Sequence, residues 1–200
     1  AVKVARTIRR KISEEAYDFI HRCCGSYEVQ KADAIYRFVQ EGLRMGRAVM
    51  SHLTAPYMQT LFAIERNFTN ESHFFIEILR FEELENGTLF GRINPKSEVL
   101  PYLADHFADR FAGEQWVIAD TVHRTVLLHK ANYKTVYLSM DEVDMDELAL
   151  TYSEDEKQLQ KLWKLFVDTI AIKERVNPKL QRQMLPLRFR KYMKEFSKTE

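Results

Sequence analysis

Four residues carry the side chains best suited to acid–base or phosphoryl chemistry: His106, Arg110, Asp120 and Arg80. An imidazole changes charge near neutral pH, and a guanidinium fork matches a phosphate or carboxylate. His106 and Arg110 stand four apart in VLPYLADHFADRF. At about 100° per residue, Leu100, Leu103, Phe107 and Phe111 form the apolar face of that helix, with Arg110 inside the arc and His106 on its edge. Asp105 and His106 are neighbours in sequence, and neighbours on a helix do not face each other. An arginine rooted in an apolar face needs a partner, because a buried unpaired charge is costly. Glu77, Arg80, Asp120 and Arg124 interrupt apolar runs and are the partners within reach. The plainer reading is a buried ion pair locking helix to sheet. The sharper one is a polar pocket.

A second constellation lies near the C-terminus, in IKERVNPKLQRQMLPLRFRKYMKE. Residues 161–200 hold eleven Lys or Arg against four Asp or Glu, a net of +7. Such a patch neutralises phosphates and binds nucleic acid irrespective of sequence. Arg175, Asn177, Lys179, Arg182, Arg188 and Arg190 are the candidate contacts. Asn177 and Pro178 are set to start a helix, as cap and first residue. The preceding 141–156 segment holds eight acids and no base: Asp141, Glu142, Asp144, Asp146, Glu147, Glu154, Asp155 and Glu156. It is either a fold-back partner for the basic tail or ordinary solvated surface.

Other chemistries find no carrier. The histidines 21, 52, 73, 106, 123 and 129 show no HExxH and no two-His-plus-carboxylate spacing, so no metal site is expected. No Gly-rich phosphate loop, GxSxG or Cys–His signature occurs, and no cofactor is expected. Cys23 and Cys24 are adjacent, a geometry strained for a disulfide, which suits a reducing, cytoplasmic setting. No run of about 18 apolar residues appears, so no membrane partner is expected. No signal peptide is visible at the start, which is Ala1 rather than Met.

The elements that must position these residues fall into three regions of one domain, 1–200, with an α+β fold. Residues 1–70 read as helical: Ile35, Phe38, Val39 and Leu43 recur at helical spacing, Gly42 and Gly46 suggest fraying or a close helix contact, and Pro56 suits a helix start. Residues 71–140 read as strand-rich with one helix. HFFIEILRFEELENGTLFGRINP reads as a hairpin turning at Asn86–Gly87. QWVIADTVHRTVLLHK and YKTVYLS supply further strands, giving about five short strands over roughly 73–138 in a mainly antiparallel sheet, flanked by N-terminal and C-terminal helices. Residues 153–197 form the basic helical tail. Ser153 and Glu156 have capping-box spacing, and Leu159, Leu162, Trp163, Phe166 and Ile170 form one apolar stripe. Asn177–Pro178 ends that helix, and Pro186 opens a last one carrying Phe189, Tyr192 and Met193. Trp116 and Trp163 could stack on bases, but their strand and helix spacing favours the core, where both are expected.

LWKLFVDTIAIKERVNPKLQRQMLPLRFRKYMKEF, ILRFEEL, INPKSEVLPYLADHFADRF and WVIADTVHRTVLLH together resemble a bacterial family of unknown function assigned to DNA metabolism. The resemblance covers nearly the whole chain, and R-x-N-P-x-x-Q followed by proline is its most specific part. Members of that family are typically encoded beside a radical-SAM protein assigned to DNA modification or repair, and some relatives carry a uracil-DNA glycosylase domain. They usually begin with an additional N-terminal segment. The resemblance implies DNA-linked function and a radical-SAM protein partner, and it carries no catalytic residues. Its matching positions are Arg80, Phe81, His106, Phe107, Arg110, Asp120, Arg175, Asn177, Pro178 and Pro186.

These readings converge on a DNA-metabolism accessory protein that binds nucleic acid through the basic tail. Two alternatives stand beside it. One is an enzyme acting on DNA or a nucleotide, with a site around His106, Arg110 and Asp120. The other is a protein-interaction module without nucleic-acid binding.

Overall fold

The computed structural model describes residues 2–142 and 151–196. The chain divides into two compact units, Ala1–His73 with Lys96–Val99, and Phe74–Pro95 with Leu100–Glu200. Asp144, Asp146 and Glu147 of the acidic segment lie outside the described residues.

The first unit is helical, as the periodicity predicts: α1 (Val2–Lys11), α2 (Glu14–Gly25), α3 (Lys31–Met45), a 3-10 turn (Gly46–Ser51) and α4 (Pro56–Ile78), whose last turn belongs to the second unit. The Ser13 hydroxyl caps α2 by accepting the Ala16 N–H at 3.0 Å, and Glu14 and Glu15 follow it in the first turn. Ala16, Phe19, Cys23, Phe38, Val49, Met58 and Leu61 form the buried centre. Gly42 is there for close approach, since a Cβ on it would stand 2.5 Å from Ile12 Cδ1. Gly46 has φ 62°, the left-handed conformation that ends α3. The buried Glu71 carboxylate accepts the N–H groups of Lys96 and Ser97 and so fastens 96–99 to α4.

The second unit is built on one sheet, ordered β1 (Glu82–Glu83), β2 (Leu89–Ile93), β3 (Trp116–Asp120), β4 (Thr125–His129) and β5 (Val136–Ser139). The hairpin turn falls at Asn86–Gly87, with Gly87 at φ 77° and the Thr88 N–H donating to Asn86 Oδ1. Three of the four pairings are antiparallel. β2 and β3 are parallel, because α5 (Leu100–Arg110) crosses between them and returns the chain to the same end.

One stretch differs from expectation. Residues 73–78, expected as the first hairpin arm, complete α4 instead. Ile64, Phe68 and Phe75 continue one helical stripe, and no turn residue separates HFFIEI from it. The sheet therefore starts at Glu82, and Glu77 lies on a helix.

Pleating puts Trp116, Ile118 and Asp120 on one face of β3, where Phe107 of α5 meets the Trp116 ring. Phe90, Val117, Ala119 and Val126 face the other way and pack with Leu84 and Tyr152. Residues 151–153 cover the outer edge of β1: Leu84 bridges Tyr152, Glu85 N–H donates to Thr151 and Ser153 N–H to Glu83.

The tail starts with α6 (Glu154–Ile170), capped by Ser153, whose hydroxyl accepts the Glu156 N–H at 3.1 Å. Glu156 does not return the bond to Ser153; it accepts from Glu83 N–H and Gln160. α7 (Pro178–Met184) opens as expected, with Asn177 accepting the Leu180 N–H. Pro186 opens a 3-10 turn, Leu187–Tyr192, followed by another at Lys194–Phe196. Phe189 anchors the turn, stacked on Phe74 at 4.6 Å and edge-on to Phe75.

Candidate functional site

Glu82 and Arg92 sit on the Phe90 face of the sheet, opposite α5. The Glu82 carboxylate is nearly buried, yet three groups fill it. The Tyr152 hydroxyl donates to Oε2 at 2.5 Å, Arg92 Nη2 lies 3.4 Å from the same oxygen, and Lys194 Nζ lies 2.5 Å from Oε1. Arg92 also donates to the Tyr152 oxygen at 2.9 Å and lies over the Tyr192 ring. Burial pushes the Tyr152 phenol up to about 12, helped by its bond to Glu82 and that carboxylate's charge. Burial pushes the Tyr192 phenol up too, but its bonds with Lys191 and Thr121 and the charges of Lys191 and Arg92 outweigh it, leaving the phenol below its ordinary value. This closed network joins the end of the tail to the sheet. Its carboxylate has no vacant oxygen for a substrate.

A cleft of about 240 Å³ opens beside it, walled by Phe81, Leu159 and Trp163, with Arg80, Gln160 and Glu195 as polar groups. The Arg80 guanidinium lies over the Trp163 ring at 4.9 Å and 3.9 Å from Glu195 Oε1. Trp163 is 36% exposed, not in the core, whereas Trp116 is fully buried. Glu195 Oε2 is buried and accepts no hydrogen bond from the described residues.

The acid–base candidates do not gather. Arg110 is solvent-exposed and lies over the Phe111 ring, so the expected buried ion pair is not formed. The arc placed its Cα correctly, but the long side chain carries its charge to water from the end of α5. His106 stands edge-on to Phe107 with Nε2 buried and unbonded. Asp120 is fully buried and committed locally: Oδ1 accepts Val122 and His123 N–H, and Oδ2 lies 2.6 Å from His123 Nδ1. Among the described residues no hydrogen bond or ion pair joins any two of His106, Arg110 and Asp120. Arg124, another of the four expected partners, pairs with Asp141 at 2.6 Å. Arg80, the fourth candidate, lines the cleft described above.

The basic residues divide into two groups. Arg190 is structural, donating to the carbonyls of Leu185 and Gln181 at 3.0 Å and so closing α7. Arg188 lies over Phe189, and its carbonyl accepts from Asn94. Arg175, Lys179 and Arg182 are exposed and make no carboxylate ion pair among the described residues. Asn177, Lys179, Arg182 and Gln183 line a shallow groove there. The α6 stripe is also open: Leu159, Leu162, Phe166 and Ile170 are each more than half exposed.

Comparison with known families matches residues 29–195 to a domain of unknown function, DUF4130. The chain belongs to this family. No curated protein and no solved structure matches it.

The DUF4130 match takes in the sheet, the Glu82 network, the cleft and the basic residues of the tail other than Lys198, and leaves out α1 and α2. Within this DUF4130 chain, sequence reasoning missed Glu82, Arg92, Tyr152 and Lys194, four residues spread over more than a hundred positions. Arg92 alone left a signal, as a charge flanked by apolar neighbours in LFGRI. No helix among the described residues is long and apolar enough to cross a membrane, and no group of three or more His, Cys, Asp or Glu there is placed to hold a metal.

Proposed function

We propose that this DUF4130 protein is a nucleic-acid-binding accessory module of DNA metabolism that grips phosphates through the exposed segment around α7. One observation carries the reading: Arg175, before the Asn177–Pro178 step, and Lys179 and Arg182, after it on α7, are all exposed with no carboxylate ion pair among the described residues. Positive charge kept solvent-facing and unpaired suits a polyanion, whose condensed counterions it releases. Arg190 contributes by holding α7 closed rather than by touching the polymer. The sequence resemblance adds DNA as the polymer and a radical-SAM protein as the partner. The test is binding of labelled single- and double-stranded DNA by Arg175→Ala/Lys179→Ala/Arg182→Ala against the parent and against the charge-preserving Arg175→Lys/Arg182→Lys. Affinity falls in the first variant and largely survives in the second, since a lysine supplies the charge of an arginine without its fork.

The open apolar stripe of α6 favours a second reading, a protein-docking module. Exposed apolar surface of this density marks interaction sites. Under that reading Leu162→Glu/Phe166→Glu abolishes partner capture and leaves DNA affinity unchanged.

A further inference from the structure

The cleft beside Arg80 and Trp163 has a chemistry of its own. Its wall offers an aromatic face, since Trp163 is partly exposed, and the Arg80 guanidinium lies 4.9 Å from the centre of that ring. Guanidinium planes and aromatic rings are the surfaces on which unpaired bases stack. The volume, about 240 Å³, is enough for one base.

Hydrogen bonding narrows the ligand further. Glu82 is filled by Tyr152, Arg92 and Lys194, and Glu156 accepts from Glu83 N–H and Gln160. Glu195 is different. Its side chain is 13% exposed, and among the described residues Oε1 has the long approach to Arg80 while Oε2 is buried without a donor. A buried carboxylate oxygen without a hydrogen bond is costly, so a ligand that brings N–H groups to it gains that cost back.

We propose that this cleft binds one unstacked guanine base, with its N1–H and N2–H donating to the Glu195 carboxylate as that side chain turns into the cleft. Arg80 then stacks beside the ring and supplies a donor to O6. Guanine is the base with two adjacent N–H donors and a neighbouring carbonyl on its pairing edge. Adenine and cytosine set a ring-nitrogen acceptor beside their amine, facing the carboxylate, and thymine sets a carbonyl on each side of its one N–H. A base taken alone is already unpaired or flipped from a stack. The inference rests on the nucleic-acid reading for its source of bases, the phosphates being held by Arg175, Lys179 and Arg182.

The experiment compares an oligothymidylate with the same strand carrying one central guanine, and titrates the free mononucleotides dGMP, dAMP, dCMP and dTMP, reading tryptophan emission. Trp163 reports on the cleft, while Trp116 is buried and serves as the constant background. The guanine strand binds about tenfold tighter than oligothymidylate, as a charge-assisted hydrogen-bond pair provides. dGMP quenches emission, and the quench vanishes in Trp163→Phe. In Glu195→Gln the ratio between the two strands falls towards one. Equal binding of the two strands, or a guanine preference that survives Glu195→Gln, overturns the proposal. Salt-sensitive oligothymidylate binding with no guanine preference refutes the cleft alone and leaves the phosphate grip standing. A dGMP quench without salt-sensitive strand binding does the reverse.

Discussion

Lys194 Nζ lies 2.5 Å from Glu82 Oε1, so the last turn of the tail is pinned to the first strand of the sheet. The same carboxylate holds Tyr152 and Arg92, which makes one acid responsible for joining strand β1, strand β2, the 151–153 edge segment and the C-terminal turn.

Removing that acid leaves Arg92 and Lys194 without their counter-charge in a partly buried setting. Glu82→Ala therefore destabilises by about 3 kcal/mol, since breaking a buried ionic network costs far more than deleting a surface pair. Glu82→Gln keeps an acceptor for Tyr152 and costs less. Urea unfolding reads both values, and a loss below about 1 kcal/mol for the alanine variant would reduce the network to surface decoration.

Tyr152 makes a pH prediction whose sign follows from its environment. Its phenol is raised from 10.0 to about 12 by burial and by the bond to Glu82. The folded state thus holds the proton more tightly than the unfolded chain. Stability from this group is fully present below pH 10 and is lost as pH rises through about 12. Spectrophotometric titration should show that the last phenol to ionise disappears in Tyr152→Phe, with Tyr57, which burial also raises, ionising before it. If all tyrosines ionise together, the bond to Glu82 is not made in solution.

Why the network was invisible in the sequence is a matter of distance along the chain. Glu82 and Lys194 share no spacing rule; only the fold brings them together. Local signals fared well for the opposite reason. Asn86–Gly87 requires a positive φ, Ser153 supplies a cap to Glu156, and Asn177–Pro178 starts a helix, and each is decided within four residues. Two longer-range readings failed on side-chain reach and on ambiguous pattern. Arg110 extends from an apolar arc into water, and HFFIEI satisfies a strand and a helix period equally, so the tertiary stripe Ile64–Phe68–Phe75 decides. Arg190 shows a third limit, since nothing in a run of basic residues tells which of them closes a helix.

The two cysteines should separate cleanly by reactivity. Cys23 is buried and its thiol is pushed up to about 12, by burial first and then by the Glu65 and Cys24 charges. Cys24 is on the surface, with partial burial raising its thiol less. Iodoacetamide on the native protein modifies Cys24 and spares Cys23 until denaturant is added. Peptide mapping that finds both alkylated under native conditions would contradict the packing of α2 against α4.

Asp120 is predicted to matter for stability through its turn. It accepts two backbone N–H groups and holds His123, all while fully buried. Asp120→Ala leaves those donors unmet and costs about 2–4 kcal/mol, whereas Asp120→Asn retains one acceptor oxygen and costs less. Thermal denaturation distinguishes the two. Equal loss in both variants would mean that the carboxylate charge, not the turn, is what the site requires.

The central claim is the phosphate grip, and the salt dependence of DNA affinity tests it most directly. Anisotropy of a labelled single strand, followed from about 50 to about 200 mM salt, gives a log–log slope that counts released counterions. The account predicts a steep slope for the parent. For Arg175→Ala/Lys179→Ala/Arg182→Ala it predicts a slope shallower by about 2, near 0.7 for each phosphate of a single strand left without its cation. Equal slopes in parent and variant, or no binding at any salt, would contradict it.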